Sequence, residues 1–218
     1  MKNSSSLLLS WSGGKDSLLA LDTLLKESHV PLLFTTFNQF GKIAIHGVEI
    51  GLIEKQAEAL GLDLIKVEIP KNATNNEYEE KLSVALSELS FIDSIAFGDL
   101  FLEDIRTYRE NFFSKISIKT LFPLWKSDPK SLLEYFIQSG FKAVVTSVNQ
   151  SFLDQSWVGV ELDSQFFQKL PEGIDLCGEN GEYHTFVYDG PVFKNRIEFQ
   201  KGAISLEDNH YMCQLFNM

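Results

Sequence analysis

The chain has 218 residues, 44% hydrophobic and 22% charged, the balance of a soluble globular protein long enough to bury a continuous core. Nineteen Lys plus Arg against 30 Asp plus Glu leave a formal charge of -11 with no basic block, which argues against non-specific binding to nucleic acid or to an anionic membrane. Two separated cysteines, Cys177 and Cys213, give neither a disulfide framework nor a zinc site. No apolar run is long enough for a signal-peptide core or a membrane span, so a cytoplasmic, unanchored protein is expected.

Taken in chain order, residues 7–11 read as a short buried strand. Residues 16–28 follow with Leu18, Leu19, Leu21, Leu24 and Leu25 at helical spacing. Residues 30–37 form a second strand, with Pro31 tolerated only at its start, and 48–60 an amphipathic helix stopped by Gly61 as a C-cap. A strand at 62–69 is closed by Pro70, and a helix at 75–89 carries Glu79, Glu80 and Lys81 on its wet face. A strand at 91–97 ends at Gly98-Asp99, and a helix covers 102–116. Residues 120–124, a helix at 129–139 with an early Pro129 and a strand at 141–148 complete the pattern.

Strands alternating with helices predict an α/β fold over residues 1–149, a mostly parallel sheet with helices on both faces. After residue 149 the texture becomes irregular, with β-like runs near 195–206 and 210–216. A small C-terminal α+β subdomain, 150–218, is expected to pack antiparallel strands against the α/β body.

The first strand-to-helix turn, SWSGGKDS, lies where a parallel sheet commonly meets phosphate. Gly13 and Gly14 allow main-chain N–H groups to converge on an anion, the following helix adds its positive dipole end, and Ser10, Ser12 and Ser17 add hydroxyls. The string is not a Walker A loop, because no Gly lies four residues before Gly14 and Lys15 is followed by Asp16. Nor is it a Rossmann loop, because its glycines are adjacent. The plain alternative is a tight turn with Asp16 as a helix N-terminal acid.

SGGKDS resembles the S-G-G-x-D-S signature of the PP-loop, or N-type, ATP pyrophosphatases of the adenine nucleotide alpha hydrolase superfamily. The resemblance implies a loop that grips the pyrophosphate of ATP while the bond between α- and β-phosphates breaks. Asp16 would then sit on Mg²⁺, with Lys15 and the glycine amides on the anion side. Three longer strings are similar to one branch, the diphthine–ammonia ligase family with its uncharacterised prokaryotic relatives: HGVEIGLIEKQAEALGLDL from His46, FGDLFLEDIRTYRE from Phe97, and GENGEYHTFVYDGPVF from Gly178.

Each string also reads on its own chemistry. Asp99 directly follows a strand and so falls at the carboxyl edge of the sheet, while Glu103, Arg106 and Glu110 share one helix face. Arg109 and Glu110 are read as a solvated ion-pair ladder; Asp99, Glu103, Asp104 and Arg106 are candidates for substrate contact. The turn at 178–181 gathers Glu179, Glu182 and His184, acids beside a histidine that suit magnesium, ammonium capture or general-base work on an attacking amine. The bland alternative there is a polar turn with a surface histidine. His46 is a candidate on the nucleotide side, and Trp11, Phe34 and Phe37 are assigned to the core. LDQSWVG, from Leu153, resembles a family string, but Val160 stands where Arg is expected.

The resemblance implies an AMP-forming ligase that uses ATP and Mg²⁺. A substrate carboxylate attacks the α-phosphate, pyrophosphate leaves, and ammonia displaces AMP to give an amide. Catalytic roles fall to Lys15, Asp16, Glu182 and His184, and no protein nucleophile is required. The acceptor is diphthine, a modified histidine of elongation factor two, if the source is archaeal or eukaryotic, and otherwise an unidentified carboxylate metabolite. No nucleic-acid partner is expected, and a homodimer is left open. The rivals are a non-catalytic adenine-nucleotide module and a tRNA-modifying PP-loop enzyme; the latter would want paired cysteines and a basic face.

Overall fold

Three consecutive leucines set the layering. In a computed structural model, which describes residues 6–43 and 47–218, β1 (Leu7–Ser10) sends Leu7 and Leu9 into one core and Leu8 into another, so both of its faces must be covered. Around it lie β2 (Leu32–Phe37), β3 (Leu64–Glu68), β4 (Ser94–Ala96) and β5 (Lys119–Leu121), all parallel, in the order β3-β2-β1-β4-β5. The order reverses at β1, so the loop after it opens at the switch point where open α/β sheets bind ligands.

On the Leu7 and Leu9 side pack α1 (Lys15–Lys26), α2 (Ile50–Leu60) and α5 (Pro129–Gln138), through residues such as Leu18, Leu52 and Phe136. On the Leu8 side α3 (Asn75–Ser87) and α4 (Glu103–Lys115) bury Leu82, Leu86, Phe112 and Phe113. The boundaries have local causes. Thr74 and Glu77 form a reciprocal capping box at the start of α3, and Gly61, with φ 70°, closes α2 in the left-handed conformation.

The strand expected to complete the parallel sheet does not join it. β6 (Lys142–Asn149) pairs antiparallel with β7 (Tyr183–Asp189) and β9 (His210–Asn217), and β8 (Phe199–Glu207) adds the edge of a second sheet ordered β7-β6-β9-β8. The run AVVTSV is buried throughout, and such a run reads alike in either kind of sheet; partners nearly 40 residues later in the chain decide its direction. Phe186 and Val187 of β7 share the core of Leu9 and α1, so the second sheet packs directly behind the loop after β1. The short helix α6 (Ser164–Lys169) is capped by the Asp163 carboxylate. Among the described residues, no helix is long and apolar enough to cross a membrane.

Candidate functional site

The loop between β1 and α1 is held from behind. Gly13, with φ 79°, gives its carbonyl to Val187 N–H at 2.9 Å, and the Lys15 N–H donates to Thr185 Oγ1 at 3.0 Å, so β7 braces both sides of Gly14. At the front, Gly14 N–H has only a long 3.3 Å bond to Ser12 Oγ, while Ser17 Oγ donates to the Gly14 carbonyl at 2.9 Å. Ser10 and Ser12 are half-buried and line a small cavity of about 90 Å³ that also touches Thr35, Thr36 and Phe97. Thr35 Oγ1 is buried there without a hydrogen-bond partner.

A larger cleft of about 420 Å³ shares Thr36 and Tyr78 with it and continues over the ends of β2 and β3 past Phe37 and Lys71 to His210 on β9. The open volume thus runs from the serines of the loop across the carboxyl edge of the sheet. His46 lies outside the described residues.

Lys15 turns inward rather than toward the mouth. Its side chain is 2% exposed; Nζ pairs with Asp16 Oδ2 at 2.9 Å, donates to the Cys177 carbonyl and stands 5.0 Å from the centroid of the Tyr183 ring. Burial, the largest influence, lowers the ammonium pKa, but the Asp16 carboxylate together with the neighbouring Tyr183 and Cys177 groups outweighs it and holds the lysine above its ordinary range. Asp16 is itself raised by burial, against the pull of Lys15. Its second oxygen, Oδ1, is buried with no hydrogen-bond partner.

Two further acids approach Asp16. Gly98, at the end of β4, packs so closely on the first turn of α1 that a Cβ there would lie 2.8 Å from the Asp16 carbonyl carbon and oxygen, which places Asp99 beside the loop. From the other side, Glu179 Oε1 accepts the Leu100 N–H at 2.8 Å. Burial, with the charges of Asp16 and Asp99 adding to it, pushes the Glu179 carboxyl up to about 7. Asp175, which sequence reasoning passed over inside an irregular stretch, accepts the Glu179 N–H at 2.7 Å and adds its own field to Asp16.

The other candidates are arranged differently. Glu182 is 2% exposed and accepts from the backbone N–H of Asp175 and Asn180 and from Asn180 Nδ2, so its carboxylate organises the turn that carries Glu179. The His184 ring lies on β7 next to that of His210, with centroids 6.3 Å apart. Glu103 and Asp104 are exposed on the first turn of α4, with Glu103 3.7 Å from Lys126. Arg106 pairs with Glu110 at 2.8 Å and lies over the Phe122 and Trp125 rings. Arg109, read from sequence as part of a solvated ladder, instead reaches back to Asp99 with contacts of 2.7 and 3.1 Å and covers Phe97. Its i+10 spacing to Asp99 across a loop gives no periodic signal.

Among the described residues, no three His, Cys, Asp or Glu side chains close into a metal-ligand set. Asp16, which follows the glycine loop and has one oxygen without a hydrogen-bond partner, is the residue here whose chemistry could hold a cation. Both cysteines are free and buried, and burial pushes the Cys177 thiol up to about 12, far from a reactive thiolate.

The diphthamide synthase N-terminal domain profile matches residues 5–120, and the C-terminal domain profile matches 128–216. The chain belongs to the diphthamide synthase family. Similar family proteins include a zebrafish (Danio rerio) protein named diphthine–ammonia ligase, 26% identical over 214 residues, which cover 85% of this chain and 83% of the relative. A protein of the same name from Schizosaccharomyces pombe is 26% identical over 227 residues, covering 94% of this chain but 38% of the longer relative. Among solved structures, a predicted tRNA methyltransferase subunit from Methanocaldococcus jannaschii aligns at 20% identity over 63% of this chain and 76% of its own, with a TM-score of 0.41. A U34-tRNA thiolase from Methanococcus maripaludis aligns at 20% identity over 61% and 55%, with a TM-score of 0.37. Within the diphthamide synthase family chain, the boundary between the two matched segments falls at 121–127, just before α5.

Proposed function

We propose that this chain is an ATP-dependent, AMP-forming carboxylate–ammonia ligase of the diphthine–ammonia ligase type, acting in the cytoplasm. The observation that carries this is Asp16: one oxygen is held by Lys15 and the other is buried without a hydrogen-bond partner, on the first turn of the helix that follows the glycine loop at the switch point of the sheet. A spare carboxylate oxygen at that place suits Mg²⁺, which takes one or two carboxylates and fills its shell with phosphate oxygens and water. When bound, magnesium would neutralise charge on the departing pyrophosphate.

The residues of the chain divide the remaining work. The Gly14 amide, the Ser12 hydroxyl and the positive end of α1 bind the anion, while Ser17, donating to the Gly14 carbonyl, holds the loop in shape. Lys15 holds Asp16 in place from inside rather than touching phosphate. The adenosine end of ATP lies along the cleft past Thr35 and Thr36. An oxygen of the acceptor carboxylate attacks the α-phosphorus, and the bond from that phosphorus to the β-phosphate bridging oxygen breaks. The nitrogen of ammonia then attacks the acyl carbon, and AMP leaves with the bonding pair. Glu179, raised toward neutrality with the Arg109-paired Asp99 nearby, receives ammonium and takes the proton that the nitrogen must lose. Glu182 supports Glu179 through the turn. The acceptor suggested by the names of the relatives is diphthine.

Against a thiolating rival stand two buried thiols, one with a strongly raised pKa. The deciding experiment supplies ATP, Mg²⁺, ammonium and elongation factor two carrying diphthine, then separates nucleotides and weighs the acceptor. AMP and pyrophosphate in step with amide formation are the expected products. Intact ATP, or ADP with phosphate, defeats the proposal.

A further inference from the structure

Helix α2 carries a fully buried amide, Gln56, within the Gln-Ala string that the proposed chemistry leaves without a role. Its three hydrogen bonds are all to fixed partners. Trp11 Nε1 donates to Gln56 Oε1 at 2.9 Å, and Gln56 Nε2 donates to the carbonyls of Gly13 at 2.9 Å and Val187 at 2.6 Å. An indole N–H can only donate and a carbonyl can only accept, so the amide has one satisfied orientation and cannot flip. Gly13 is the residue that tolerates this approach: a Cβ there would lie 2.5 Å from Ile53 Cδ1 and 2.6 Å from Gln56 Oε1.

The consequence for the loop follows from peptide geometry. The Gly13–Gly14 peptide is trans, so its carbonyl and its N–H point in opposite directions from one rigid plane. Gln56 Nε2 and the Val187 N–H together draw the Gly13 carbonyl into the core. The Gly14 N–H is thereby turned outward, where its bond to Ser12 Oγ is a long 3.3 Å. We infer that Gln56 is a positioning residue that aims the Gly14 amide at the bound anion, with Trp11 locking the orientation of Gln56 and β7 supplying the second hold.

This inference rests on reading the loop as a pyrophosphate cradle, and the test separates the two. Inorganic pyrophosphate with Mg²⁺ is titrated into the full chain calorimetrically, and the Gly14 amide resonance is followed by NMR. Gln56→Met keeps the volume and removes all three bonds. It is expected to bind about tenfold more weakly, near the worth of one amide bond to a charged group, and to show a reduced pyrophosphate-induced shift at Gly14. Leu133→Ala, a cavity variant in α5, controls for lost stability and is expected to bind as wild type. Wild-type affinity and an unchanged Gly14 shift in Gln56→Met overturn the inference. If that variant does not fold, Trp11→Phe is read by the same two measurements, with about threefold weaker binding expected; unchanged values there overturn it equally. A wild-type chain that does not bind pyrophosphate removes the cradle, and this inference with it.

Discussion

Lys15 Nζ and Asp16 Oδ2 stand 2.9 Å apart, although successive residues in a helix do not normally face each other. The pairing is possible because the long Lys15 stem folds back toward the Cys177 carbonyl and the Tyr183 ring. One Asp16 oxygen is thus occupied and the other left over. Asp16→Ala removes the ion-pair partner of the buried Lys15 ammonium and is expected to cost about 3–5 kcal/mol while lowering turnover by roughly 100-fold or more. AMP release and thermal unfolding measure the two effects; full turnover in that variant defeats the metal role. Lys15→Met strands a partly buried carboxylate and is expected to cost about 2–4 kcal/mol, with a raised Mg²⁺ requirement.

Glu182 accepts two backbone N–H groups and one side-chain amide while almost wholly buried. Glu182→Ala leaves those donors without a partner and is expected to lower unfolding free energy by about 2–3 kcal/mol in urea titrations. Loss of turnover with unchanged stability would instead give Glu182 a direct chemical part.

The Asp99–Arg109 pair is close and only partly exposed, with side-chain exposures of 16% and 26%; Nη2 donates to Oδ1 at 3.1 Å, while Nε and Oδ2 form an ion pair at 2.7 Å without hydrogen-bond alignment. Arg109→Met is expected to cost about 1–3 kcal/mol and to free the Asp99 charge next to Glu179. Arg109→Lys should recover little of it, because an ammonium cannot reach Asp99 and at the same time lie over the Phe97 ring as the planar guanidinium does. Recovery of full stability by lysine would show that the guanidinium plane is dispensable.

Burial first, and then the charges of Asp16 and Asp99, raise the Glu179 carboxyl from 4.5 to about 7. Between those values the folded chain retains a proton that the unfolded chain has released, so stability is full below pH 4.5 and declines as pH rises toward 7. Glu179→Gln removes this titration while keeping an oxygen for the Leu100 N–H. It is expected to flatten that part of the pH–stability curve and to gain about 1–2 kcal/mol over wild type at neutral pH relative to acid. A parallel pair of curves, measured without nucleotide or metal, would remove Glu179 as the titrating group.

The local devices were legible without coordinates. Adjacent glycines after a short apolar strand announced the loop, Gly61 the end of α2 and Pro129 the start of α5, because caps and turns depend on residues within a few positions of one another. The gathering of Asp99 and Glu179 near Asp16 was read only in part. Their positions at a strand end and in a turn could be named, but not which oxygen faces which. Arg109 was misjudged because its partner lies outside its own helix.

The sequence alone determined where the chain turns, which positions are apolar, that an acid follows the glycine loop and that the longer strings resemble one family, since these are properties of neighbours along the chain. Only the tertiary structure decided that β6 joins the antiparallel sheet, that Lys15 points inward, and that Gln56 and β7 grip the loop from behind. Those outcomes depend on partners 43, 131 or 162 residues away. Buried amides and ammonium groups take whichever acceptors the assembled core presents, and no local pattern encodes that choice.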